Sequence, residues 1–119
     1  MAVSVKELIE QKELLTERKK ALFDIKTSVG VITVKKPSRA LAAETIDMED
    51  GDSYIVMECT VEPNLKDPGL LKAFDCMEPT DLPEKIFESG EVTAIARKIM
   101  EHAHYRKDVV SEVHETVKN

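Results

Sequence analysis

The stretch ALFDIKTSVGVITVKK, residues 21–36, decides the fold class. Two short runs of alternating apolar and polar residues flank Thr27, Ser28 and Gly30, the pattern of a β-hairpin. Phe23, Ile25, Val29 or Val31, and Ile32 would carry its buried side, since every second residue of a strand faces the same way. Outward from the hairpin most of the chain reads with helical period. The expected class is therefore α+β: mainly α, a compact helical domain with one small β-hairpin.

On the N-terminal side, Ser4 followed three residues later by Glu7 makes a capping box, with Val3 and Leu8 at the staple positions around it. A helix is expected over residues 1–21. Leu8, Leu15 and Leu22 recur at heptad spacing among Glu, Gln, Lys and Arg, which leaves a narrow apolar stripe for a partner inside the fold or on another chain.

On the C-terminal side, Pro37 stops the strand and Ser38 caps a short helix through Leu41, Ala42, Thr45 and Ile46, up to a turn at Asp50 and Gly51. The segment DSYIVMECTVEP, residues 52–63, reads two ways. Ile55, Met57, Cys59 and Val61 alternate like a strand, yet Asp52 can cap and the run is almost wholly apolar; a buried helix ending before Pro63 is the preferred reading. Asp67–Pro68 and Asp81–Leu82–Pro83 are cap-plus-proline openings of two further short helices. Ser89 and Gly90 then separate these from an amphipathic helix whose Val92, Ile95, Ala96, Ile99, Met100 and Ala103 share one face. A turn at His104 and Tyr105 precedes a last helix, capped by Asp108 and bearing Val109, Val110, Val113 and Val117. Its β-branched content makes it dependent on packing, internal or across an interface.

The 119 residues suit a single domain, 1–119, made of the N-terminal amphipathic helix (1–21), the hairpin (22–36) and a helical region (37–119). With 42% hydrophobic and 34% charged residues of mixed sign, the chain has the balance of a folded domain. Aromatic residues are 4% with no Trp, so the core must be built from Leu, Ile, Val, Ala and Met. A formal net charge of -6, with no basic cluster interleaved with aromatics, argues against a nucleic-acid partner. No apolar run reaches membrane-spanning length and the N-terminus has no signal-like apolar segment, so no membrane association and a cytoplasmic location are expected. Cys59 and Cys76 lack CxxC spacing and read as reduced, buried thiols.

Chemical motifs are sparse. His102 and His104 are two residues apart, which on a helix sends them to nearly opposite sides, and His114 with the two cysteines adds no ligand pattern. Asp47, Glu49, Asp50 and Asp52 around Gly51 lack the spacing of a calcium loop and read as a solvated turn. Neither a nucleophile elbow nor a phosphate-binding glycine loop is present. No catalytic, cofactor-binding or metal-binding residue is assigned, and no cofactor is expected. An enzyme acting through His102 or His104 would need a positioned acid–base pair that the sequence does not offer.

The second half, VEPNLKDPGLLKAFDCMEPTDLPEKIFESGEVTAIARKIMEHAHY, residues 61–105, resembles the phage tail assembly chaperones of the XkdN-like kind. The VEPN-K-D turn, the short helix ending at Phe74, the P-x-D-L-x-x-K-x-F step from Pro79 and the GE-opened helix from Gly90 appear in that order. The earlier G-x-I-x-V-K-x-P-[ST]-R pattern, Gly30 to Arg39, resembles the same group. One departure is informative: such proteins commonly carry Gly where His104 stands. Gly there would be a left-handed C-cap, and His is a residue that tolerates this conformation.

The resemblance implies a non-enzymatic chaperone made in the bacterial host cytoplasm, which coats the tape measure protein, recruits tail tube subunits and is absent from the finished particle. A homo-oligomer is expected. Leu8 and Leu15 on the first helix and Val109, Val113 and Val117 on the last are the candidate partner-binding residues, with a core role as the alternative for each. The alternative function is a structural tail-completion or connector protein retained in the virion.

Overall fold

The computed structural model describes residues 2–105. Two helical segments, α1 (Val5–Glu10) and α2 (Lys12–Lys19), lead into a hairpin of β1 (Leu22–Thr27) and β2 (Gly30–Lys35). Helix α3 (Arg39–Glu44), helix α4 (Gly51–Cys59) and strand β3 (Thr60–Glu62) follow. Then come α5 (Pro68–Ala73), a 3-10 turn (Pro79–Asp81), α6 (Leu82–Ile86) and α7 (Ser89–His102). The α+β class expected from the sequence is the class observed. The helix expected from Asp108 lies outside the described residues.

The sheet has three strands in the order β1-β2-β3, all antiparallel neighbours. In the hairpin, Thr27 pairs with Gly30 across a two-residue turn of Ser28 and Val29, and Gly30 takes a φ of 129° that favours glycine. This register sets Phe23 opposite Val34 and Ile25 opposite Ile32, so those four share the inward face. Val34 is fully buried. Val29, in the turn, and Val31, on the outer face, are 60% and 59% exposed; neither completes the buried side.

The segment at 52–63 proves to be helix and then strand. α4 is preferred up to Cys59, but Thr60 leaves the helix at ψ 116° and its hydroxyl donates to the Val56 carbonyl at 2.6 Å. Pro63 disfavours helical backbone at the residue before it, and the freed residues Thr60 and Glu62 pair with Val34 and Thr33 of β2, with an irregular register between them. Two other boundaries move. Ser89 and Gly90 are the first residues of α7, with Glu88 as its N-cap at an extended ψ of 151°. α3 stops at Glu44, short of the turn, leaving Ile46 77% exposed.

The core lies between α4 and α7, with β2 against them. Ile55, Val56 and Cys59 from α4 meet Val92, Ile95, Ala96, Ile99 and Met100 from α7, and Leu65, Leu82 and Phe87 close the sides. The five α7 residues recur at i, i+3, i+4, i+7 and i+8, the spacing of a single helix face. Each large side chain so buried contributes roughly 1.5–3 kcal/mol. Cys59 and Cys76 are both free; Cys59 is buried and its thiol pushed up to about 11 by that burial, whereas Cys76 is only half-buried.

Candidate partner-binding surface

Helices α1 and α2 form a nearly continuous rod from Val5 to Lys19, interrupted at Gln11, whose ψ of 3° departs from helical values. The capping box at its start is complete: Ser4 Oγ accepts from the Glu7 amide at 3.1 Å, and the Ser4 amide donates to Glu7 Oε1 at 3.2 Å. At the other end the Lys36 ammonium donates to the Arg18 carbonyl at 2.7 Å, tying the rod to the end of β2. Leu22, the third leucine of the expected stripe, belongs to β1 and pairs with Lys35, so the helical stripe ends at Leu15. The heptad spacing continues in the sequence, but Lys20 caps the helix before it can reach Leu22.

Neither α1 nor α2 contains a buried residue. Val5 and Ile9, 75% and 67% exposed, join Leu8 and Leu15 with the stems of Lys12 and Thr16 around a shallow, open, almost wholly apolar trough. The spacing of 5, 8, 9, 12, 15 and 16 is one helix face. Leu8 is 47% exposed and Leu15 half-buried. The heptad pattern of Leu8 and Leu15 leaves out Val5 and Ile9; Val5 stands three residues before Leu8 and four before Ile9, the i+3 and i+4 spacings of neighbours on a helix surface. Val109, Val113 and Val117 lie outside the described residues.

The histidines do not converge. His102 stacks on Phe23 with ring centroids 3.8 Å apart and planes 7° from parallel, while His104 is exposed beyond the end of α7. His114 lies outside the described residues. Burial holds the His102 imidazole below its ordinary value; Lys98 and Lys36 act in the same direction and Glu101 against it. Among the described residues no three His, Cys, Asp or Glu side chains are grouped to hold a metal ion, and no helix is long and apolar enough to cross a membrane.

The end of α7 bears on the departure noted at His104. His104 adopts a φ of 65°; its amide donates to the Glu101 carbonyl at 2.9 Å and the Tyr105 amide to the Met100 carbonyl at 3.0 Å. These two bonds are a Schellman motif with His in the left-handed position that glycine favours. No curated protein and no solved structure matches the chain. A family model, the phage XkdN-like tail assembly chaperone protein, matches residues 5–118, nearly the whole chain. With its hairpin, its amphipathic α7 and its C-terminal turn in the expected places, this chain belongs to the XkdN-like phage tail assembly chaperone family.

Proposed function

We propose that the protein is a non-catalytic chaperone that acts in the bacterial host cytoplasm, shields the tape measure protein and recruits tail tube subunits, working as a homo-oligomer. The observation that carries this reading is the apolar face of α1–α2. An isolated helix of about 15 residues is marginal in water, and this one gains no buried contact from the described body. Laying Val5, Leu8, Ile9 and Leu15 against a helical apolar segment of a client would stabilise both surfaces and keep the client soluble. Val109, Val113 and Val117 remain the proposed contacts of the C-terminal segment.

Co-expression with the tape measure protein, followed by sizing chromatography with light scattering, tests the proposal. Soluble co-elution is expected, and the pair Leu8→Glu and Leu15→Glu should abolish it while leaving the circular-dichroism melting of the body unchanged. A client that stays insoluble with the wild-type chaperone, or co-elution indifferent to the two substitutions, overturns it. Mass spectrometry of purified virions separates this reading from a structural tail-completion protein, which would remain in the particle.

A further inference from the structure

The described body is electrostatically two-ended. Near the start of α7, a groove of ≈ 680 Å³ is lined by Glu49, Asp50, Asp52, Asp75, Asp81 and Glu84, opposed among the described residues by Lys85 alone. Asp75, Asp81 and Glu84 come from beyond α4, so the acidic face is assembled by folding and extends the 47–52 cluster of the sequence. Beyond the other end of α7, a concavity of ≈ 490 Å³ is lined by Arg18, Lys19, Lys36 and Arg39 with His104 and Tyr105 and, among the described residues, by no carboxylate. The ion pairs of the described residues are Lys66–Glu58 and Lys98–Glu101, so none of these four cations is neutralised by a described carboxylate. In a chain of net charge -6, four converging cations are a local reversal of sign.

Ser89 and Thr93 of the first turns of α7 line the groove, and Ala103 to Tyr105 line the basic concavity. A 14-residue helix separates them by about 20 Å at 1.5 Å per residue, so the two faces cannot meet within one chain. Each face also presents one large apolar side chain: Met77, 94% exposed, in the groove, and Tyr105, 41% exposed, in the concavity. We infer that the basic concavity of one copy receives the acidic groove of a second copy, so that this chain recognises itself through two different surfaces. The occupant follows from charge complementarity. Opposite potentials steer encounter and set register, and burial of Met77 and Tyr105 adds the apolar contact that a purely ionic interface lacks. The inference rests on the homo-oligomeric part of the function proposed above but not on the identity of the client.

Sedimentation of the full chain tests it with two charge-reversed variants, Arg18→Glu/Arg39→Glu and Glu49→Lys/Asp52→Lys. The wild type should self-associate at about 20 mM salt and do so at least about tenfold more weakly at about 500 mM, where the screening length falls from about 20 Å to about 4 Å. Each variant alone should be monomeric, and an equimolar mixture should form a one-to-one complex, because each retains the face that the other has lost while the two altered faces, now near neutral, no longer attract. Complex formation shows at the same time that both variants are folded. A wild type that is monomeric at low salt, variants that self-associate as the wild type does, or a mixture that stays monomeric overturns the inference. If tape measure co-elution fails while salt-dependent pairing and variant complementation persist, the client assignment falls and the self-recognition stands.

Discussion

Glu91 clasps Ser28: its Oε2 accepts the Ser28 amide at 2.9 Å and its Oε1 the Ser28 hydroxyl at 2.6 Å, across 63 residues of sequence. The carboxylate sits in the first turn of α7, where the helix dipole favours negative charge, and it satisfies the hairpin turn that the strand ladder leaves unpaired. The tip of the sheet is thereby fixed to the start of the main core helix. Glu91→Ala should cost about 1 kcal/mol, and Ser28→Ala little more once Glu91 is gone, so a double-mutant cycle in urea should return a coupling of similar size. Additive losses would mean that the clasp carries no energy.

His104→Gly should stabilise the protein by about 0.5–1 kcal/mol, because the left-handed φ of 65° carries no steric cost for glycine. The amides of residues 104 and 105 would keep their bonds to Glu101 and Met100. A rise in the urea midpoint without a change of slope checks this; a fall would show that the imidazole makes a contact worth more than the strain.

Since the imidazole of His102 is held below its ordinary value of 6.5, the unfolded chain binds its proton more readily than the folded one. The contribution is fully present above about pH 6.5 and is lost as the pH falls through the lowered folded value. His102→Phe preserves a ring to stack on Phe23 and removes the titration. Denaturation at several pH values should therefore show the variant losing less stability than the wild type below pH 6.5. Parallel pH profiles would contradict the assignment.

Two glycines at helix starts should respond in opposite directions to alanine. A Cβ on Gly51 would stand 2.8 Å from the Thr45 carbonyl oxygen, whereas one on Gly90 meets nothing within 4 Å. Gly51→Ala must push backbone apart and should cost about 1–3 kcal/mol. Gly90→Ala should gain a few tenths to about 1 kcal/mol from lost unfolded-state entropy. Thermal melts of the two variants decide it, and equal effects would remove the steric explanation.

Where a local cause sufficed, the sequence was readable. The capping box of Ser4 and Glu7, the Asp67 carboxylate that accepts the Leu70 amide at 2.9 Å, and the turn at His104 all depend on residues within a few positions of one another. The buried face of α7 was equally legible, because the period of the apolar residues and the period of the helix coincide. Leu22 misled because periodicity carries no information about where a helix stops, and Val29 and Val31 because the hairpin face depends on a register set by the turn.

By itself, then, the sequence determined the α+β class, the caps at Ser4, Ser38 and Asp67, the hairpin, the core face of α7 and the family resemblance, all of which rest on short-range periodicity, capping chemistry or linear motif order. Only the tertiary structure decided that residues 60–62 leave α4 to pair with β2, that Glu91 fastens Ser28, and that α1–α2 bury no side chain. It also decided that Asp75 and Asp81 line one groove with Glu49 and Asp52, while Arg18 and Arg39 line one concavity at the other end of α7. Those relationships join residues far apart in the chain, and which of them meet is set by the packing of whole elements around one core rather than by any local preference.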